Sequence, residues 1–234
     1  MSHPHGSVVV VGAGDGLSAS LARRFARDGH DVVLGARDTD KLASLVAETG
    51  ARAVACDASD PAAVEALFEA VPERLAVVVY NPSARTRGPV AELEPEDVRR
   101  ALEVTAFGAF LVGRRAAARM LGQDEADGVR GTILFTGASA GVKGFARSAP
   151  FAMGKFAQRG LAQSMSRELH PRGVHVAWIN VDGAIGNPGT TPSSERPDAM
   201  LDPAAIADTY AALVRQHRSA WSEEVAVRPW VESF

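Results

Sequence analysis

Short apolar runs rich in β-branched residues alternate along the chain with Ala-, Leu- and Arg-rich stretches whose apolar residues recur at helical spacing. The runs Ser7–Val11, Asp31–Ala36, 52–56, Leu75–Tyr80, 132–136 and Val174–Val181 predict strands, with a last short one near 225–227. Residues 16–28 predict a first helix, with Leu17, Leu21, Arg24 and Phe25 at helical spacing. Asp38 or Thr39 is placed to cap a second helix that carries Leu42, Leu45 and Val46 on one face. Asp60-Pro61 opens a third helix through Val71, Glu94-Pro95 a long fourth to about Leu121, and residues 149–170 a fifth. Asp202-Pro203 caps a last one to about His217. Parallel strands need crossovers, and crossovers are right-handed. A single doubly wound α/β domain is therefore expected, with a seven-stranded, mainly parallel sheet and helices on both faces. The uninterrupted apolar strand Leu75–Tyr80 suits a sheet covered on both sides. The Gly/Pro/Ser/Thr-rich stretch 182–202 reads either as a lid or binding segment or as a plain surface excursion.

Composition narrows the classes of function. The 234 residues are 46% hydrophobic and 23% charged, which suits a globule and excludes disorder for most of the chain. With 25 basic against 28 acidic residues, the net charge of −3 argues against general binding of nucleic acid or anionic lipid. No apolar run approaches the ~20 residues of a membrane span. The start lacks a basic-then-apolar leader, and the lone Cys56 suits a reducing compartment, so a cytoplasmic location is expected. The histidines show no metal spacing, and no metal site is expected.

The first strand runs into Val11-Gly12-Ala13-Gly14-Asp15-Gly16-Leu17-Ser18. Glycines there let the backbone turn tightly and approach a pyrophosphate, which rests on the N-terminus of the next helix. Tight turns need glycine anyway; the position between a first strand and a first helix is what points to a dinucleotide. The second strand ends Leu34-Gly35-Ala36-Arg37-Asp38. An acid at that end grips the ribose 2′-hydroxyl of NAD, whereas an arginine accommodates the 2′-phosphate of NADP. Ala36 stands where the acid would be and Arg37 follows, so NADP(H) is expected over NAD(H), against opposing charge from Asp15 and Asp38. The plainer reading of Arg37 is a solvated strand end.

Together these features resemble the short-chain dehydrogenase/reductase family over essentially all of residues 1–234, implying a single Rossmann-type NAD(P)-binding domain. Gly12 to Leu17 is similar to the family's Gly-x-x-x-Gly-Ile/Leu-Gly loop, with Ser18 in place of the last glycine. Cys56-Asp57-Ala58-Ser59 resembles the segment whose aspartate lies by the adenine. Tyr80-Asn81-Pro82-Ser83 falls where the family has Asn-Asn-Ala-Gly, and Asn180-Val181-Asp182-Gly183 replaces Pro-Gly with Asp-Gly. The resemblance assigns cofactor contacts to Gly12, Gly14, Asp15, Gly16, Leu17, Arg37, Asp57, Ala58, Asn81, Ser83, Lys155, Gly183 and Ile185.

The catalytic positions depart from the family. Its Tyr-x-x-x-Lys pair, proton donor and ribose-binding lysine one helical turn apart, is Phe151-Ala152-Met153-Gly154-Lys155 here. The only tyrosines are Tyr80 and Tyr210, so no shift of register restores the hydroxyl. The family's serine position is Ala138, with Ser139 one place later, and its asparagine position is Thr105. Lys155 alone matches.

A positioned general acid contributes roughly 10²–10⁴-fold, so another donor is needed if hydride chemistry persists. Lys155 could serve, directly or through water, once desolvation lowers its pKa. Ser139 or Ser148 could hydrogen-bond the substrate, and Tyr80 stands at the ligand edge of the sheet, where packing beside the cofactor is its plainer role. Asp182 reads as a cap. Two functions follow: an NADPH-dependent reductase of a small carbonyl, imine or activated alkene with a rearranged donor, or a nucleotide-binding sensor, partner or non-redox catalyst. The resemblance also implies a homodimer or homotetramer paired through helices 95–121 and 149–170, at small residues such as Ala116, Ala117, Ala118, Ala157 and Gly160. The apolar C-terminal residues Trp221, Trp230 and Phe234 either join a subunit contact or fold on the chain's own core.

Overall fold

The computed structural model describes residues 6–72, 74–191, 194 and 197–232. The first half runs β1 (Ser7–Val11), α1 (Leu17–Arg27), β2 (Asp31–Ala36), α2 (Ala43–Thr49), β3 (Arg52–Ala55), α3 (Pro61–Glu69) and β4 (Leu75–Tyr80). The second half continues with α4 (Pro95–Leu102), α5 (Gly108–Leu121), β5 (Gly131–Thr136), α6 (Ala149–Leu169) and β6 (Val174–Val181). Two-residue strands β7 (Ala184–Ile185) and β8 (Met200–Leu201), α7 (Pro203–Val214) and β9 (Glu224–Val227) complete it. Seven strands form one parallel sheet in the order β3-β2-β1-β4-β5-β6-β9. This is the doubly wound, Rossmann-type arrangement, and the order reverses between β1 and β4, where a crevice opens beyond the strand ends.

Alternation within the strands divides the core. Val8 and Val10 pack on one face with Leu21, Phe25 and Tyr210, while Val9 and Val11 pack on the other with Phe68, Phe135 and Trp178. Asp60 and Asp202 cap α3 and α7 as expected, accepting from Ala62 N at 2.9 Å and Ala204 N at 2.8 Å, each ahead of a proline in the first turn. Ahead of α2 the chain takes a 3₁₀ turn, Asp40–Leu42, and Asp38 accepts from Asp40 N at 3.2 Å. No helix among the described residues is long and apolar enough to cross a membrane.

Several expectations are corrected. The single helix expected from Pro95 to Leu121 is broken by a π-helical segment, Glu103–Phe107. Its cause is tertiary: the Tyr80 hydroxyl on β4 donates to the Val104 carbonyl and so competes with the helix ladder. The 182–202 stretch is not featureless, since β7 pairs parallel with β8. Among the described residues the Asp182 side chain caps no backbone N–H; it pairs with Arg228 at 3.3 Å. Ala116 is fully buried against the sheet and cannot line a subunit contact, whereas Ala118, Ala157 and Gly160 are exposed. Trp221 is half-buried and stacks on His175 at 4.9 Å between ring centres, so it packs on its own chain, while Trp230 is exposed; Phe234 lies outside the described residues.

Candidate active site

The crevice begins at the glycine loop. Gly12 has φ +77°, a left-handed backbone, and a Cβ there would meet Pro82 Cγ at 2.7 Å, so glycine is required for both reasons. Ser18 Oγ donates to the Gly12 carbonyl at 3.0 Å and accepts from Asn81 Nδ2 at 2.7 Å, which ties the loop to the end of β4. The serine in place of the family's last glycine thus braces the turn. No side chain caps α1 and its first turn holds no acid, leaving a helix N-terminus suited to a pyrophosphate.

On one side of the glycine loop a cleft of ≈ 490 Å³ receives Gly14, Asp15, Arg37, Asp57, Ala58 and Ser83, all expected there. Lys41 and Arg100, which sequence reasoning missed, line it as well. Of the two opposing acids, Asp38 is answered from within, while Asp15 has no ion pair among the described residues. Asp38 pairs with Lys41 at 3.0 Å, and this contact holds its carboxyl below the usual range. Asp57 accepts from Ser59 N at 2.9 Å and Ser59 Oγ at 2.7 Å, which lowers it too. Arg37 is left among the described residues without an ion pair, at the place where a 2′-phosphate would lie. These residues fit the dinucleotide that the family implies.

On the other side the crevice continues past Gly16, Leu17, Gly183 and Ile185 to Ala138, Phe151 and Lys155. A Cβ on Gly16 would strike the Asn187 amide, so the 182–202 segment closes over the glycine loop at that point. Lys155 is buried, with Nζ donating to the Thr136 carbonyl at 2.6 Å and facing Gln158 Oε1 at 3.4 Å. Burial, then the nearby Arg85 cation, bring its pKa down from 10.5 to about 7. The Phe151 ring lies with its centre 6.0 Å from Nζ and carries the Arg85 guanidinium at 4.4 Å. Arg85 therefore sits over the position where the resemblance places a tyrosine.

The surrounding elements explain this placement. Gly137 and Gly141 leave room for the Trp178 indole, over which the loop bearing Ala138 and Ser139 lies. Trp178 Nε1 donates to Gln158 Oε1 at 3.3 Å, and Gln158 Nε2 reaches the Thr105 carbonyl at 3.5 Å. Thr105, at the family's asparagine position, is buried in the π segment, and its Oγ1 accepts from Ala84 N at 3.1 Å. It anchors the β4–α4 loop just before Arg85. Ser139 and Ser148 both border the cleft beyond Phe151. Tyr80 and Tyr210 are fully buried, their phenols raised by burial and engaged with the Val104 carbonyl and with Thr136 Oγ1 at 2.9 Å. Neither can serve as donor. The Cys56 thiol is buried and pushed up to about 11 by burial and by Asp57, so it is not a nucleophile. Among the described residues no His, Cys, Asp and Glu group could hold a metal.

Residues 7–194 match a family model described as short chain dehydrogenase. The L-2,3-butanediol dehydrogenase of Corynebacterium glutamicum is 30% identical over 189 residues, 76% of this chain and 71% of that protein. The 3-oxoacyl-acyl-carrier-protein reductase MabA of Mycobacterium tuberculosis is 30% identical over 193 residues, 81% of this chain and 73% of that protein. A solved short-chain dehydrogenase from Rhodopseudomonas palustris superposes with a TM-score of 0.82 at 36% identity, covering 97% of this chain and 100% of that one. A metagenomic short-chain oxidoreductase solved in complex with NADP gives a TM-score of 0.82 at 28% identity, covering 98% of this chain and 100% of that one.

Proposed function

The chain belongs to the short-chain dehydrogenase family of oxidoreductases, and from that premise we propose that it is an NADPH-dependent reductase of small carbonyl compounds in which Lys155 replaces the tyrosine as proton donor. The observation that carries this reading is a continuous crevice from Arg37 to a buried amine whose pKa is brought to about 7. That value suits a general acid at neutral pH far better than an ordinary lysine would. Arg37, with the NADP-bound relative at 28% identity, supports NADPH over NADH.

A nicotinamide held in this crevice would supply the hydride for a substrate's carbonyl carbon, the C=O π pair passing to oxygen. Lys155 Nζ would give the proton that completes the alcohol. Nζ lies 6.0 Å from the Phe151 ring centre, and a water between them would carry the proton to an oxygen seated against that ring. The Thr136 carbonyl and Gln158 orient the ammonium, and solvent returns the proton afterwards. Ser139 donates to the carbonyl oxygen in place of the missing hydroxyl at Ala138, and Phe151 offers an apolar face. The exposed Phe107, Phe110, Met153 and Phe156 on the π segment, α5 and α6 support pairing with a second copy, as a homodimer or homotetramer.

The test mixes the protein with NADPH and a panel of carbonyl compounds and follows the nicotinamide absorbance. Consumption is expected with at least one carbonyl, lost in Lys155→Ala at saturating NADPH. Tight NADPH binding with no consumption across the panel would establish the non-redox reading instead.

A further inference from the structure

Beyond Phe151 the crevice opens into a cleft of ≈ 620 Å³ whose composition is unusual for a site built to take a neutral ketone. Arg85, Arg87 and Arg147 line it, and no Asp or Glu does. Among the described residues none of the three guanidinium groups has an ion pair or a side-chain hydrogen bond. Burial and the neighbouring Arg87 cation hold Arg85 below its ordinary value, and Arg85 in turn helps lower Lys155. All three arginines are exposed at the cleft mouth, where water screens their repulsion, and no carboxylate of the lining answers them. The remaining wall is apolar, from Ala138, Ala140, Phe145, Val181 and Ala184.

The loops that carry these cations are held in place by backbone bonds. Arg147 adopts φ +62°, a left-handed conformation that side chains other than glycine rarely take, and its carbonyl accepts from Gly88 N at 3.1 Å. That bond joins the loop bearing Arg147 to the loop bearing Arg85 and Arg87. The second loop is anchored again by the Ala84 N–H on Thr105, one residue before Arg85. One left-handed residue and two loop-to-loop bonds fix the backbone that presents these exposed guanidinium groups to the cleft.

We propose that this cleft takes a carbonyl substrate bearing an anionic oxygen group, a carboxylate or a phosphate, held by Arg85, Arg87 and Arg147 with its carbonyl against Phe151. Guanidinium groups pair with either anion through two parallel hydrogen bonds, and an apolar wall opposite suits the short carbon skeleton between the anion and the carbonyl. The pyrophosphate and the 2′-phosphate of the dinucleotide have their own places at α1 and Arg37, so these arginines are not needed for them.

This inference rests on the reductase reading for its carbonyl and not for its anion, and the experiment separates the two. Levulinate is compared with its methyl ester, and dihydroxyacetone phosphate with dihydroxyacetone. Each is followed by NADPH consumption and, with NADP⁺ present, by binding calorimetry. One charged compound is expected to exceed its neutral partner by roughly tenfold or more, the order expected for a charge-assisted, two-bond guanidinium contact. Which pair responds tells carboxylate from phosphate. The preference should collapse in Arg85→Ala and Arg147→Ala, survive in part in Arg85→Lys, and weaken with added salt. Arginine-dependent anion binding without NADPH consumption by any compound would defeat the reductase reading and leave the anion site standing. Charged and neutral partners treated alike, or no binding by any of the four, would overturn the anion site.

Discussion

At the scale of single residues the proposed chemistry turns on Lys155, Phe151 and Arg37. The Lys155 pKa of about 7 lies below its ordinary 10.5, so between these values the unfolded chain holds a proton that the folded chain lacks. Stability should therefore rise with pH across that window, and the dependence should be flatter in Lys155→Met, as urea midpoints at successive pH values would report. Turnover has the opposite sign, because the donor must be protonated: kcat/KM for reduction should fall as pH rises through about 7. Phe151→Tyr places a phenol within the fields of Lys155 and Arg85, both of which favour its ionised form. A gain of roughly tenfold in kcat is expected on a substrate the parent already reduces, from the usual worth of a positioned acid; a slower variant with normal NADPH affinity would mean that the apolar face of Phe151 is what the reaction needs. Arg37→Ala should weaken NADPH binding by about tenfold, or about 1.4 kcal/mol, and leave NADH unchanged by calorimetry. The glycine loop, Arg37, Lys155 and the absent hydroxyl are legible in the sequence because each is a residue type at a fixed local spacing. Arg85 is not, since nothing in Ser83-Ala84-Arg85-Thr86-Arg87 says that the first arginine will lie over a ring 66 positions later.

At the scale of elements, the π segment Glu103–Phe107 lies between the loop that carries Arg85 and the helix that carries Lys155. It presents Thr105 to the β4–α4 loop on one side and to α6 on the other. The fit is close: a Cβ on Gly154 would meet Thr105 Cβ at 2.8 Å, and one on Gly108 would meet the Tyr80 hydroxyl at 2.5 Å and the Ala58 carbonyl at 2.7 Å. Gly154→Ala must displace α6, which carries Phe151 and Lys155, and should cost about 1–3 kcal/mol in urea unfolding, as overpacking does. The long helix 95–121 was readable from its apolar period, but the break within it was not. A hydroxyl from a distant strand decides it, and the helical pattern on either side carries no trace of that partner.

At the scale of the whole molecule, four of the eight exposed large apolar residues among those described lie on α5, α6 and the segment before α5. Phe107 and Phe110 lie with ring centres 6.3 Å apart in a stacked pair, and Met153 and Phe156 are exposed on α6. Burying a face of this kind in a second copy removes large aromatic groups from water, at about 25 cal/mol per Å². Light scattering should report a dimer or tetramer at micromolar concentration. The Phe110→Asp, Phe156→Asp double variant should run as the 24.6 kDa monomer with its α/β circular dichroism intact.

The order of elements, the parallel sheet and the dinucleotide crevice followed from the sequence alone, because strand and helix periods and a glycine turn are local properties that neighbouring residues settle among themselves. What the tertiary structure alone decided is the acid–base character of the site: the burial of Lys155, the arginine over Phe151, the π turn under Tyr80 and the left-handed Arg147. Each depends on groups brought together from distant parts of the chain, and a pKa or a strained backbone is set by the field and the packing of those neighbours, which no local pattern records.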